Sequence, residues 1–179
     1  MLIATILSAQ CTDKRVNIVT KSLFKKYLTI DDYANAELKE LEDDIRSTGF
    51  YRSKAKYIKK SAQMIKIKYE SKVPRTMEEL IKLPGVARKT ANIVLFNAYG
   101  IIAGIAVDTH VKRLSQRIGL SKNKDPNKIE ADLMKIVPQD KWMEISDLLI
   151  FHGREICNAR KPKCVECVLK KICSSAKLI

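Results

Sequence analysis

Lys89 lies three residues after a Pro84-Gly85-Val86 turn. A lysine at this distance from a Pro-Gly turn is the feature of the chain that says most about its chemistry. The Pro-Gly pair separates two helical stretches and predicts a helix-hairpin-helix over residues 76–99. A tight hairpin directs backbone N–H groups and a helix N-terminus outward, where they can bind a phosphate. A lysine beside a bound phosphodiester is a candidate nucleophile toward the neighbouring sugar.

The helix that carries Lys89 is predicted to bury a different face. Its apolar residues recur at helical spacing, and Lys89 lies almost opposite to them. This stripe consists of Ala87, Ala91, Val94, Leu95 and Ala98. A solvated side chain is the usual explanation for such a lysine. Ile93 and Phe96 share the side of Lys89, however, so we expect a cleft wall on which partial desolvation favours the uncharged, nucleophilic amine.

Capping signals delimit the helices around this motif. Thr76 and Glu79 form a capping-box pattern that opens a helix ending at Leu83, and the second helix runs from about Ala87 to Tyr99, before Gly100. Asp108 precedes another helical run and is a good N-cap candidate. Asp125 and Pro126 open a further helix that ends before Pro138.

Four cysteines near the C-terminus form a compact group with the spacing C-x6-C-x2-C-x5-C. They are Cys157, Cys164, Cys167 and Cys173. Crowded thiols in a cytosolic chain usually bind metal, and both zinc and a [4Fe–4S] cluster accept four thiolates. From general principles the spacing leaves both open. Cys11 stands apart in an apolar context and is expected to be a small core residue.

The charge balance indicates a polyanionic partner. The 179 residues carry a formal net charge of +14, with an isoelectric point of about 9.6. Such an excess favours nucleic acid, although a lysine-rich protein of another kind has the same signature. Aromatic residues are few, which argues against a stacking platform for single strands. The apolar start, residues 1–9, is too short for a membrane span and a poor secretory signal, so we expect a cytoplasmic protein.

Helical periodicity runs through almost the whole chain, and no convincing strand or hairpin-strand signal interrupts it. Residues 2–10 are expected to form a buried helix. In the helix around residues 54–69, the stripe Ala55, Ile58, Ala62, Ile65 and Tyr69 is predicted to be buried, and the lysines on its other faces, Lys54 among them, are expected to be solvated. The pattern breaks between Gly100 and Val107. We therefore predict an all-α protein with two domains, residues 1–103 with the hairpin and residues 104–179 with the cysteines.

These segments together resemble the endonuclease III family of base-excision DNA glycosylases over nearly the whole chain. The matching residues are Leu7-Ser8-Ala9-Gln10-Cys11-Thr12-Asp13, Thr48-Gly49-Phe50-Tyr51 with Ser53-Lys54-Ala55, the hairpin with Lys89, Ala106-Val107-Asp108-Thr109-His110, and His152-Gly153-Arg154. The cysteine spacing is that of the family's [4Fe–4S] loop, and on this ground we prefer the cluster to zinc. The chain departs from the family in having Ala87 where a second hairpin glycine is usual, and it begins at the family's second helix.

The resemblance implies two helical lobes, a barrel-like lobe with the hairpin and an iron–sulfur lobe, with damaged double-stranded DNA bound across the cleft between them by a monomer. It implies that Lys89 is the nucleophile and Asp108 its carboxylate partner. It also implies that Gln10 enters the gap left by an extruded base and that Phe50 lies near the wedge position. The hairpin residues Pro84, Gly85, Val86 and Ala87 are expected to contact phosphate. The basic loop residues Arg160, Lys161 and Lys163 are expected to do the same.

Three functions compete at this point. The first is a bifunctional glycosylase and AP lyase that excises oxidised pyrimidines through a lysine Schiff base and nicks the strand by β-elimination. The second is a monofunctional mismatch or adenine glycosylase of the same superfamily, whose members generally lack the lysine. The third is a non-catalytic iron–sulfur DNA-binding protein. His110 and His152 are expected to be structural, with His152 on an apolar helix face.

Overall fold

We analysed a computed structural model of the protein, which describes residues 1–178, with side chains through residue 176. All regular secondary structure in this part of the chain is helical, as predicted. The chain divides into two compact units, Met1–Ile101 and Ile102–Ile179. The roles that we expect for two domains, divided at residue 103, stay predictions.

The first unit contains seven α-helices. They are α1 (Leu2–Leu7), α2 (Asp13–Lys26), α3 (Ile30–Asn35), α4 (Leu38–Asp44), α5 (Tyr51–Lys68), α6 (Met77–Leu80) and α7 (Arg88–Tyr99). The long α5 packs against α3 and α4, while α1 packs against α2, α5 and α7. The predicted α5 stripe is buried from Ala55 to Ile65, and Leu7, Leu41 and Leu95 complete a core from which solvent is excluded.

Two helices are shorter than the sequence predicts. We expected the first to reach residue 10, but α1 ends at Leu7 and a turn follows, in which Gln10 has a positive φ of 51°. We expected the helix after Thr76 to reach Leu83, but α6 ends at Leu80. Turns follow it, in one of which the Leu83 N–H donates to the Leu80 carbonyl. Pro84 disfavours the helical conformation of Leu83 and so limits how far the helix can extend. It does not account for the end at Leu80.

The second unit is built on three α-helices. They are α8 (Thr109–Ile118), α9 (Pro126–Ile136) and α10 (Trp142–Glu155). Helix α8 packs against α9 and α10 around a core that includes Val111, Leu114, Ile129, Leu133 and Leu149. The predicted start at Asp125-Pro126 is confirmed, because the Asp125 side chain accepts hydrogen bonds from two N–H groups of the first turn. Beyond α10, residues 157–173 form successive turns, and a 3-10 helix follows over Ser174–Leu178.

Among residues 1–178, every helix is either too short or too polar to cross a membrane.

Candidate functional site

The hairpin turn between α6 and α7 requires a glycine at residue 85. Gly85 has a φ of +78°, and a Cβ added there would lie 2.8 Å from the Cβ atom of Tyr57. The turn is held further by the Ser61 hydroxyl, which donates to the Pro84 carbonyl at 2.8 Å. Ala87 is the N-cap of α7 with a φ of −88°, an extended conformation that any residue adopts. Alanine in place of the second family glycine is therefore free of backbone strain.

Lys89 lies in the first turn of α7, directly after this hairpin. Its side chain is exposed, and Ile93 and Phe96 beside it are half-buried. The partial burial that we expected for the amine is not observed. Of the predicted apolar stripe, Ala91, Val94 and Leu95 are buried, whereas Ala87 and Ala98 are exposed. The helix ends at Gly100 in a left-handed cap, as predicted. Lys89 thus follows a turn from which the first N–H groups of α7 are free of intrahelical partners.

The two residues expected to enter DNA lie at the surface of the first unit. Gln10 is exposed with a φ of 51°, and Phe50 is 66% exposed with a φ of 47°. A cavity of about 290 Å³ brings them together, and it also has Lys54, Tyr57 and Gly85 in its wall. The structure thus brings Gln10 and Phe50 next to the hairpin glycine.

Lys54 corrects an expectation of the sequence analysis. We assigned it to the solvated faces of its helix, but it is only 3% exposed and its ammonium donates to two backbone carbonyls. The helical spacing carries the signal that we missed, because Lys54 lies four residues before Ile58 and eleven before Ile65, on the same buried stripe. Burial lowers the pKa of this lysine.

Asp108 is the N-cap of α8, as its position before Thr109 suggests. Its Oδ1 atom accepts hydrogen bonds of 2.8 Å from the backbone N–H groups of His110 and Val111. Both bonds go to one oxygen, so Oδ2 stays available for other chemistry. Asp108 is half-buried and belongs to the second unit, whereas Lys89 belongs to the first.

All four clustered cysteines line one cavity of about 270 Å³ in the second unit. Each is half-buried, and none of the four forms a disulfide. Within residues 1–178, no group of three or more His, Cys, Asp or Glu side chains is arranged to hold a metal ion. Four thiols that line one cavity are nevertheless a donor set that an iron–sulfur cluster accepts. Cys11 is half-buried in the first unit.

Two arginines of α8 hold the start of the cysteine segment, and neither was predicted from the sequence. Arg117 donates to the sulfur of Cys157 at 3.4 Å and to the carbonyls of Asn158 and Ala159, both at 2.7 Å. Arg113 donates to the carbonyls of Cys157 and Gly153. Their four-residue spacing places both on one face of α8. Nothing in the sequence connects that face with cysteines 40 or more residues away.

His152 lies at the cysteine cavity, which modifies our interpretation of it as a core residue. Its ring is half-buried, and Nε2 lies 3.3 Å from the sulfur of Cys167. Nearby, the Lys163 N–H donates to the Ile156 carbonyl and closes the loop that carries the predicted phosphate contacts. Those contacts, Arg160, Lys161 and Lys163, are all exposed.

Comparison with known proteins identifies the family. Residues 3–139 match the sequence model described as HhH-GPD superfamily base excision DNA repair protein. The chain is 56% identical over 176 residues to Endonuclease III of Synechocystis sp., covering 98% of this chain and 80% of that relative. It is 50% identical over 174 residues to Endonuclease III of Bacillus subtilis, covering 97% and 79%.

A solved structure agrees with this assignment. It is a trapped Endonuclease III–DNA covalent intermediate, which matches with a TM-score of 0.92 and 49% identity over 99% of this chain and 83% of that one. The hairpin, the helical fold and the cysteine cavity thus occur in a chain that belongs to the endonuclease III family within the HhH-GPD superfamily of base excision DNA repair proteins.

Proposed function

We propose that this protein is a bifunctional DNA glycosylase and AP lyase that excises oxidised pyrimidines from duplex DNA and nicks the strand by β-elimination. The observation that carries this proposal is a lysine in the first turn of α7, directly after a hairpin that requires glycine, in a chain 56% identical to an Endonuclease III. A trapped covalent intermediate with DNA in a close structural relative requires a nucleophile in that relative. Lys89 supplies one here.

The uncharged Nζ of Lys89 attacks C1′ of an extruded nucleotide. The bond from C1′ to the base breaks, and the base leaves with that electron pair and takes up a proton. Opening of the sugar ring gives a protonated imine between Nζ and C1′. Loss of a proton from C2′ then expels the 3′ phosphate, which cuts the strand. Water finally hydrolyses the imine and frees the lysine. Extrusion is necessary because stacking in the duplex hides C1′ from the amine.

Asp108 is the carboxylate that assists the first step. It accepts a proton from the attacking amine or stabilises the positive charge that develops on the sugar. The N-cap role is compatible with this chemistry, because the cap uses Oδ1 and leaves Oδ2 free to accept.

Duplex binding follows from charge and from backbone donors. The net charge of +14 attracts DNA at long range. Within the hairpin from Pro84 to Ala87, the backbone N–H groups of Gly85 and Ala87, together with the N-terminus of α7, are available to a phosphate, because Val86 N–H already donates to the Leu83 carbonyl. Gln10 and Phe50 occupy the gap in the base stack, and the exposed loop residues Arg160, Lys161 and Lys163 contact a second stretch of backbone.

The cysteines Cys157, Cys164, Cys167 and Cys173 would hold a [4Fe–4S] cluster as four thiolates. When bound, the cluster cross-links the turns of residues 157–173 and so fixes the basic loop for phosphate contact. Arg117 supports the same loop, since its guanidinium donates to the Cys157 sulfur and to two loop carbonyls. This assignment gives the cluster a structural role and leaves the reaction to Lys89 and Asp108.

Borohydride trapping tests the proposed chemistry. Reduction should link the wild-type protein covalently to DNA that contains an abasic site, because the imine becomes a stable amine. Lys89→Gln should abolish the adduct and strand cleavage while binding to the same DNA persists. Lys82→Gln is the matched control, since it removes the charge of another exposed hairpin lysine. Strand cleavage by Lys89→Gln at the wild-type rate would refute the lysine mechanism.

The same experiment separates the alternatives and tests Asp108. A monofunctional glycosylase would release the base without forming an adduct, and a non-catalytic binder would do neither. Asp108→Asn removes the carboxylate, so base release should fall by at least about 100-fold. Asparagine is also a good N-cap, so the melting temperature should change little. An equal loss of base release, DNA binding and stability would leave Asp108 with the cap role alone.

A further inference from the structure

Lys54 is a buried cation that joins two separate loops of the first unit. Its Nζ donates to the carbonyl of Leu7 at 2.7 Å and to the carbonyl of Thr48 at 2.8 Å. Leu7 is the last residue of α1, and Thr48 is the last residue of the short 3-10 helix that precedes α5. One ammonium therefore satisfies two backbone acceptors that would otherwise lack a partner at helix ends.

Each of these carbonyls lies just before a residue with a strained backbone. Gln10 follows Leu7 by three residues, and Phe50 follows Thr48 by two. Both have positive φ angles, 51° and 47°, which cost a non-glycine residue about 1 kcal/mol or more each. Such conformations persist only where surrounding contacts hold them. Lys54 provides a contact of this kind at the root of both loops.

The same face of α5 also holds the hairpin. Tyr57, three residues after Lys54, packs against Gly85, and Ser61, seven residues after it, donates to the Pro84 carbonyl. Residues at these spacings share one side of a helix. The side chains of Lys54 and Tyr57 also line the cavity that Gln10, Phe50 and Gly85 enclose with them. A single rigid helix thus sets the separation between the hairpin and both loops.

Stability alone is a poor explanation for a lysine at this place. Burial of an ammonium is unfavourable, and in Lys54 it lowers the pKa of the side chain. The neighbouring positions of the stripe, Ala55 and Ile58, are fully buried apolar residues. The cost of burying the cation is offset by its two hydrogen bonds, which points to the two backbone segments that these bonds hold in place.

We infer that Lys54 is a positioning residue for base extrusion, which fixes Gln10 and Phe50 at a set distance from the phosphate-binding hairpin. This inference rests on the proposed function, because it assumes that these two side chains enter the DNA stack. Lys54 itself does not touch the reacting atoms. Its loss should impair insertion of the two side chains more than it impairs binding to DNA.

The test is a fluorescence measurement of side-chain insertion into the base stack, and it needs no catalysis. A duplex carries 2-aminopurine opposite a stable abasic-site analogue, and unstacking of this base on protein binding raises its emission. Lys54→Gln should bind this duplex with nearly wild-type affinity but lose most of the emission increase. Because misplacement by about 1 Å can cost on the order of 100-fold, single-turnover base release should fall 10- to 100-fold. Cleavage of a pre-formed abasic site should fall less.

Lys59→Gln is the matched control. Lys59 lies on the same helix, and its ammonium donates to the Ala36 carbonyl at 2.8 Å. Ala36 is the C-cap of α3 and lies outside the loops of Gln10 and Phe50. Replacing Lys59 removes the same kind of hydrogen bond and the same charge as replacing Lys54. Because the lost bond does not involve either loop, the emission increase should remain intact. An equal loss of emission in both variants, or none in Lys54→Gln, would overturn the inference. Lys54→Arg, which retains a cation and several donors, should restore part of the signal.

Hydrogen exchange of the wild-type protein keeps the inference testable if Lys54→Gln fails to fold. We expect the hydrogen-bonded amides of Ala9, Cys11 and Gly49 to be protected before DNA is added, because Lys54 holds both loops in advance. Exchange of these amides at the unprotected rate would overturn the inference. Neither measurement depends on Lys89, so absence of base release by the wild-type protein would refute the proposed function separately.

Discussion

The loops of the first unit and the cysteine segment of the second differ in what holds them. The loops that carry Gln10 and Phe50 are held by α5, whose inner face is buried. Lys54 of this helix donates a hydrogen bond to a carbonyl at the start of each loop. In the cysteine segment, no side chain of residues 157–176 is buried, and Val165 and Val168 are 86% and 87% exposed. The contacts that fix its start come from Arg113 and Arg117 of α8.

This difference indicates two sources of order. The protein's own apolar core stabilises the geometry of the first unit, because folding buries the residues that carry its loops. The cysteine segment buries too little apolar surface to offset the entropy of ordering it. Cross-linking of four thiolates by the proposed cluster would supply the missing stabilisation, as bound metal does in other small cysteine-rich segments. The two regions should therefore respond differently to substitutions.

The largest effect is expected for Cys164→Ser, which removes one of the four proposed ligands. Purified wild-type protein should contain about four iron atoms and absorb at roughly 400 nm. The variant should lose most of both, and proteases should cut it rapidly between residues 157 and 173, while the helices of residues 1–101 stay folded. Iron analysis, absorbance and limited proteolysis with mass mapping measure these changes.

Cys11→Ser is the control for this experiment. Cys11 is half-buried in the first unit, so its replacement should leave iron content and protease resistance unchanged. A folded, colourless wild-type protein with stoichiometric zinc would contradict the cluster assignment. A cysteine segment in Cys164→Ser that resists proteases like wild type would contradict the proposed source of its order.

A smaller effect is expected for Gly85→Ala, which tests the self-supported geometry of the first unit. The positive φ and the 2.8 Å approach to Tyr57 both oppose a Cβ, so unfolding should become easier by roughly 1–3 kcal/mol. DNA affinity should fall as well, because the phosphate-facing turn is displaced. Chemical denaturation and a salt titration of binding provide the two readouts.

Ala87→Gly is the matched change on the other side of the turn. Ala87 already has a negative φ, so glycine there relieves no strain and should lower stability slightly through the added freedom of the unfolded chain. A gain in DNA affinity with Ala87→Gly would show that the alanine methyl obstructs phosphate. Equal effects of the two substitutions would mean that the hairpin does not depend on the Gly85 conformation.

The comparison also explains what the sequence could predict. Helix positions and caps follow from local rules, which is why Asp108, Asp125 and the centre of the α7 stripe, Ala91 to Leu95, lie as expected. The exact end of α1 depends on the strained Gln10 turn, which no periodicity encodes. Lys54 was misassigned because charge was given more weight than spacing. The contact of Arg117 with Cys157 joins residues 40 positions apart, and such pairs depend on tertiary packing.

The smallest effect is expected at Asp132, which lies in α9 of the second unit and is bonded to the loop of residues 121–123. Its carboxylate accepts hydrogen bonds from the Ser121 hydroxyl and from the Asn123 amide, and these lower the pKa of Asp132 below its ordinary value of 3.8. Because the pKa is lower in the folded state, the carboxylate stabilises the fold above about pH 4. This contribution is lost as the pH falls through the folded-state pKa.

Asp132→Asn should therefore be less stable than wild type at neutral pH, and the difference in free energy of unfolding should shrink toward zero in acid. Asp147→Asn, at an exposed position of α10, should show a much smaller difference across the same pH range. Denaturant titrations between neutral pH and pH 3 measure both. If the Asp132 difference instead vanished on removal of iron at constant pH, the loop of residues 121–123 would depend on the cysteine segment. The boundary between self-supported and cluster-supported structure would then lie within the second unit's helices, and not at residue 157.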